Sequence, residues 1–176
     1  DELTSYRQAV EKCKNFCTNF KTSYQNLFFY GTVGTGKTFL TNCIAKECIE
    51  QGCSVLYFSA ASLFALLARN TFDYRAREEL SALCADLYSC DLLVIDDLGT
   101  ETATAATLSH FFTCLNERLL RQKSVIISTN LSLEDCRNRY QDRIFSRIAS
   151  NFEFCKLTGP DIRMCKKVSA VSGPVR

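Results

Sequence analysis

NLFFYGTVGTGKT, residues 26–38, decides the fold. Its first half is an apolar run closed by Gly31, the signature of a short buried strand. Its second half fits G-x-x-x-x-G-K-[ST] at every fixed position, and the residues that follow, KTFLTNCIAKECIEQG, have helical spacing and stop at Gly52. Strand, glycine loop and helix in that order form a cradle for phosphate. Gly31, Gly34 and Gly36 let successive backbone N–H groups turn toward one anion, and the helix start adds partial positive charge. Lys37 is expected to stand exposed at the helix start and to reach the outer phosphates, and the Thr38 hydroxyl to ligate Mg²⁺. Nucleotide contact is assigned to the whole stretch: Gly31, Thr32, Val33, Gly34, Thr35, Gly36, Lys37, Thr38 and Phe39.

Outward from the loop, DLLVIDDLGTE (residues 91–101) is a second apolar strand, ending in two adjacent carboxylates. Two like charges at a strand end repel and need a cation. In an open parallel sheet ligands bind at the carboxyl ends of the strands, so Asp96 is expected beside Thr38, holding Mg²⁺. Asp97 points another way and suits the orienting or deprotonation of an attacking water; the competing reading is a solvated or helix-capping acid. Further strands are expected at SVLYFS, SVIIST and FEFCKL, and helices over 4–20, 60–69, 75–88 and 104–122 and in LSLEDCRNRY and DRIFSRIAS. Strands that are apolar runs and alternate with helices specify a five-stranded parallel sheet covered by helices on both faces. The residues after the fifth strand are too few for a full helical lid domain.

The composition, 47% hydrophobic and 23% charged in 176 residues, is that of an ordinary globular domain. No apolar run approaches the roughly 20 residues of a membrane span, so a cytoplasmic protein with no membrane partner is expected. The eleven cysteines include no C-x-x-C pair and there is one histidine, His110, which argues against zinc; Cys43, Cys84, Cys114 and Cys155 fall on apolar positions and read as reduced core thiols. Charge is uneven. Residues 1–136 hold 12 Lys and Arg against 16 Asp and Glu, whereas residues 137–176 hold 9 against 3, a basic block suited to an anion or a neighbouring subunit.

SVIISTN ends in Asn130, which either holds the water near the terminal phosphate or caps the next helix, a role for which Ser132 is the other candidate. Arg139, Arg143 and Arg147 fall at i, i+4 and i+8, one helical stripe, more cation than a lone site needs and suited to self-assembly. Arg163, beyond the last strand, is placed to reach back to its own nucleotide.

Together GTVGTGKTFL, DLLVIDDLGTE, VIISTNLSLEDCRNRY, DRIFSRI and GPDIR resemble the bacterial replicative helicase loaders of the DnaC/DnaI type, AAA+ P-loop ATPases close to the IstB transposition ATPases. The resemblance covers roughly residues 25 to 168. It implies a slow ATPase that binds ATP or ADP with Mg²⁺, acts in DNA replication, and helps place a hexameric replicative helicase on single-stranded DNA. It makes Gly31 to Thr38 the Walker A loop, Asp96 the Walker B acid on the metal side, and Asp97 the catalytic acid, where most AAA+ proteins have Glu. Asn130 becomes sensor 1, Arg147 the arginine finger and Arg163 sensor 2. The family's DNA channel would fall on Phe72, Arg75 and Arg77, where an aromatic for stacking lies among arginines for phosphates, and on Thr104. Residues 1–24 are expected to be a helical lead-in to the ATPase domain, cut from a larger protein, and 169–176 a tail. Two rival functions stand beside this one: an IstB-like ATPase on duplex target DNA, and a nucleotide-dependent assembly module with negligible turnover.

Overall fold

The structure, a computed structural model, describes residues 2–72 and 77–162, with side chains over 3–69 and 81–162. In chain order the elements are α1 (Glu2–Asn19), β1 (Leu27–Gly31), α2 (Lys37–Glu50), β2 (Val55–Ser59), α3 (Ala60–Phe72), α4 (Arg77–Ser89), β3 (Leu92–Leu98), α5 (Ala105–Leu120), β4 (Ser124–Thr129), α6 (Leu133–Asn151) and β5 (Glu153–Leu157). The five strands form one sheet in the order β2-β3-β4-β1-β5, and every neighbouring pair is parallel. This is the AAA+ P-loop fold.

Strand side chains alternate between faces, so each apolar run feeds two cores. Leu27, Phe29, Leu92, Val94 and Ile126 pack under α1 and α2, with Ala9, Phe16 and Ile44. Phe28, Leu93, Ile95, Val125 and Ile127 pack on the other face, under α3, α5 and α6, with Leu63, Phe111 and Ile144. A fully buried Leu, Ile or Phe stabilises by about 1.5–3 kcal/mol relative to exposure, which is why neither face can be left bare. α1 runs along edge strand β5, where Lys12 pairs with Glu153 at 2.9 Å.

Buried polar groups knit the end of the sheet opposite the glycine loop. Asn26 accepts from Val125 N–H at 2.8 Å and donates to Asn151 O at 3.0 Å. Arg118, in the last turn of α5, is fully buried without a carboxylate. Its guanidinium donates to Leu87 O at 2.6 Å, Cys90 O at 3.0 Å and Ser124 O at 2.7 Å, closing the end of α4 and the starts of β3 and β4. Such carbonyls would otherwise be buried without donors.

Three expectations are decided here. The two helical stretches after β4 both fall within α6 and are parted, as expected, at Gln141, whose φ of 65° is left-handed and interrupts the helix. Ser132 caps it, accepting from Asp135 N–H at 3.0 Å, so Asn130 is released from that role. Cys43 is exposed and Cys84 half-buried, while Cys114 and Cys155 are buried as expected. Burial pushes the Cys114 thiol up to about 12, holding it protonated. Among the described residues no cluster of His, Cys, Asp and Glu is arranged to hold a metal, and no helix is long and apolar enough to cross a membrane.

Candidate functional site

The glycine loop lies at the carboxyl end of β1 and its backbone needs glycine. Gly31 has φ 128°, and a Cβ there would lie 2.0 Å from Leu157 O on the neighbouring strand. Gly34 has φ 76°, and its Cβ would meet the Asp161 carboxyl at 2.1 to 2.5 Å. α2 opens with no side-chain cap after Gly36, so the N–H groups of its first turn are left to an incoming anion. Lys37 departs from expectation. It is only 4% exposed, because its ammonium donates to Gly31 O at 2.9 Å and Thr32 O at 2.6 Å, folding the side chain back over the loop. An ammonium buried at that depth needs such acceptors. Thr35 also closes onto the loop, donating to Thr32 O at 2.8 Å.

The acid pair sits at the end of the adjoining strands. β3 continues to Leu98 rather than ending at Asp96, with an irregularity in its pairing to β4 between Ile95 and Leu98. Asp96 is buried and its Oδ1 accepts from the Thr38 hydroxyl at 3.2 Å, bringing together the two residues expected to share a metal. The same oxygen accepts from Ser128, whose hydroxyl oxygen in turn accepts from Asp97 N–H at 3.0 Å. Ser128 is thus a clamp across both acids. Nothing in its sequence context distinguished it from the other small residues of SVIISTN. Asp97 takes φ 55°, which swings its carboxylate away from Asp96 and toward Asn130, whose amide donates to Asp97 Oδ1 at 3.2 Å. The irregular backbone gives the two adjacent acids separate surroundings. One hydroxyl and one carboxylate are hard oxygen donors, too few to enclose an ion, and they suit Mg²⁺, which takes its remaining oxygens from phosphate and water.

Between these groups lies a cavity of about 710 Å³, lined by Gly34, Gly36, Lys37, Thr38, Asp97 and Asn130 and, on a more apolar side, by Tyr6, Val33, Phe39 and Ile162. Val33 and Phe39 are 56% and 64% exposed, large for apolar groups beside a cavity. Tyr6 and Ile162 escaped the sequence reading because they come from α1 and from beyond β5. Ile162 N–H donates to Gly34 O at 3.0 Å, so the GPDI segment lies against the glycine loop. Behind Thr38, the Tyr57 hydroxyl meets Thr41 Oγ1 at 2.9 Å, and burial pushes its phenol up to about 12, so it stays protonated.

The arginine stripe does not survive intact. The turn at Gln141 separates Arg139 from the other two, and its guanidinium is drawn to Glu101, at 3.2 Å. Arg143 and Arg147 remain together on the second half of α6, their guanidinium carbons 5.1 Å and 6.0 Å from the Phe112 ring centre. Both are exposed and neither lines the cavity. Thr104 is the N-cap of α5, paired reciprocally with Thr107, which supplies a local reason for its presence. Phe72 ends α3, but its side chain and that of Arg77, and all of Arg75 and Arg163, lie outside the described residues.

The family model of the IstB-like ATP binding proteins matches residues 8–168. The chromosomal replication initiator DnaA of Zymomonas mobilis is 30% identical over 152 residues, 82% of this chain and 28% of that protein. The replicative helicase loader DnaC of Escherichia coli K12 is 26% identical over 147 residues, 84% of this chain and 59% of the loader. The chain therefore spans less than two thirds of either relative. Among solved structures, AMPPCP-bound DnaA from Aquifex aeolicus superposes with a TM-score of 0.77 at 24% identity, over 97% of this chain and 53% of that one, a likeness of fold.

Proposed function

The chain belongs to the family of IstB-like ATP-binding proteins, and on that premise we propose that it is the ATPase domain of a replicative helicase loader. Its relatives make it an AAA+ ATP-binding domain related to helicase loaders and to DnaA. The observation that supports ATP hydrolysis is the cluster at the cavity mouth: Thr38 on Asp96, Ser128 across Asp96 and Asp97, and Asn130 on Asp97; the loader role rests on the likeness to the DnaC loader.

ATP or ADP lies with its phosphates on the N–H groups of Gly34 to Thr38, and Lys37 exchanges the loop carbonyls for phosphate oxygens. Val33, Phe39 and Tyr6 supply the apolar side of the cavity. Thr38 and Asp96 would hold Mg²⁺, which would offset the negative charge of the phosphates. Asp97 and Asn130 orient the attacking water, Asp97 accepting its proton. Asp is shorter than Glu by one methylene, which favours slow turnover. A neighbouring subunit supplies Arg147, with Arg143 as the competing residue, and Arg163 of the same chain serves as the second sensor. Phe72, Arg75, Arg77 and Thr104 are the proposed single-stranded DNA contacts. The partner is a hexameric replicative helicase.

The test is twofold. Turnover of ATP by the full chain should rise with single-stranded DNA, and the full-length protein should co-purify with the replicative helicase of its source. Binding to duplex DNA with a transposase, and no hold on the helicase, would instead favour the transposition reading. ATP binding with no turnover in any mixture would leave a nucleotide-set assembly module.

A further inference from the structure

Glu101 lies in the loop between β3 and α5, three residues beyond the end of the strand that carries the acid pair. Its carboxylate has no solvent exposure. A buried carboxylate must be answered by donors, and three are present. Oε2 accepts from Gly99 N–H at 2.8 Å; Oε1 accepts from Arg139 Nε at 3.2 Å and from the Tyr140 hydroxyl. Arg139 also donates to the Glu101 backbone carbonyl. Tyr140 is 1% exposed and sits edge-on to Phe111 at 6.1 Å. Burial, and then Glu101 itself, push its phenol above the ordinary range, so it stays a donor.

Both neighbours of this cluster are strained. On one side is Asp97 at φ 55°, whose carbonyl is held by Thr100 N–H at 3.3 Å and by the Thr100 hydroxyl at 2.9 Å. On the other is Gln141 at φ 65°, the residue directly after Tyr140. A non-glycine residue in that region costs on the order of 1–3 kcal/mol and persists only when its surroundings hold it. The exposed Arg137–Asp142 pair spans the kink but contributes little. The buried side of the kink is held by Glu101, and past the kink the chain carries Arg143 and Arg147.

We infer that Glu101 is a positioning residue: by holding Arg139 and Tyr140 it fixes the kink at Gln141, and so the direction in which one subunit offers Arg143 and Arg147 to the next. It also ties that direction to the loop behind its own Asp97. The catalytic side of this inference rests on the ATPase reading above.

Glu101→Gln in the full chain is the test. A carboxylate accepts at both oxygens, whereas an amide must turn an N–H toward either Gly99 N–H or Arg139 Nε–H, so the cluster cannot close. Affinity for a fluorescent ATP analogue should be unchanged, because Glu101 is not in the cavity. Amide exchange should rise over residues 138–145. Turnover should fall on the order of 10²-fold at unchanged KM, as misplacement of a remote group does. Mixing with Lys37→Ala should restore it: the Glu101→Gln subunit still binds ATP and receives a well-directed arginine from its Lys37→Ala neighbour. Tyr140→Phe, which removes one donor and keeps the ring, should show the same pattern more weakly, and it stands in if Glu101→Gln does not fold. Unchanged exchange over 138–145 would overturn the inference. So would a failure to recover in mixtures that co-assemble, which would place Glu101's effect on its own acids. A wild-type chain without turnover would instead count against the ATPase reading, and the exchange measurement would then decide the inference alone.

Discussion

Ser128→Ala removes a single oxygen from a buried position and tests how the acid pair is held. The hydroxyl has one proton, given to Asp96, and its oxygen accepts Asp97 N–H at 3.0 Å. A hydrogen bond to a charged group contributes about 1.5–3 kcal/mol, and a buried N–H left unpaired costs about 1–3 kcal/mol. Thr38 still reaches Asp96 at 3.2 Å, and Asp97 is only half-buried, so part of each loss is recovered. The lower half of each range is the better guide, giving about 2.5–4 kcal/mol of destabilisation in urea unfolding. The effect on chemistry is separate. Freed from Ser128, Asp97 has less reason to keep φ 55° and its aim toward Asn130. Turnover should fall on the order of 10²-fold while nucleotide affinity, set by the loop amides and Lys37, is retained. Ser128→Cys, a weak donor of similar size, should be intermediate. Stability within about 0.5 kcal/mol of wild type together with an unchanged kcat would refute the clamp.

Three further outcomes follow from other groups. Lys37→Ala should lose nucleotide binding while its urea midpoint moves little, since the two carbonyls its ammonium now occupies belong to half-buried Gly31 and exposed Thr32, where water can replace it; undiminished binding of an ATP analogue would sink the phosphate-loop assignment. Asp97→Asn should keep Mg²⁺-dependent ATP binding and lose about 10²–10⁴ in turnover, whereas Asp96→Asn should weaken the Mg²⁺ dependence itself, and hydrolysis by Asp97→Asn at the wild-type rate would make the second acid structural. Lys123, and then the Ser54 N–H, hold the Asp91 carboxyl down to about 2 from 3.8. Because its folded value is the lower, the stability it adds is complete above about pH 4 and is lost as pH falls toward 2. The side chain is 41% exposed, so screening keeps the effect below about 1 kcal/mol, and Asp91→Asn should flatten the melting temperature across that window by a corresponding amount.

The parts of the molecule legible in its sequence are those imposed by local constraint. The loop had to read as it does because Gly31 and Gly34 have positive φ and no space for a Cβ. The strands were legible because a sheet buried on both faces leaves no position for alternation with polar residues. The association of Thr38 with Asp96 followed from where parallel strands end. What stayed hidden was set by tertiary partners. The break between LSLEDCRNRY and DRIFSRIAS was legible, but the conformation of Gln141 was not; it comes with the bonds of its neighbours Arg139 and Tyr140 to Glu101, forty residues upstream of Gln141. That turn is why a stripe drawn on an ideal helix lost Arg139. Ser128 looked like one more small strand residue, and its role depends on the irregular pairing between β3 and β4. Tyr6 reaches the cavity from a helix whose packing against β5 no local pattern specifies.

The buried Arg118 also bears on how the chain reaches its native state. Its charge is well solvated in the unfolded chain, and the acceptors that replace water come from three separate places: the end of α4, Cys90 in the short turn before β3 and the first residue of β4. Docking α5 before all three have arrived would strip water from a guanidinium with nothing to replace it, at a cost of several kcal/mol. Partly assembled forms of this end of the sheet are therefore disfavoured, and α4, α5 and the starts of β3 and β4 should close in one late step. Interactions made after the transition state govern the rate of escape rather than the rate of arrival. Arg118→Leu should accordingly speed unfolding and leave refolding nearly untouched in denaturant-jump kinetics, whereas an equal slowing of refolding would mean that the guanidinium finds its carbonyls early.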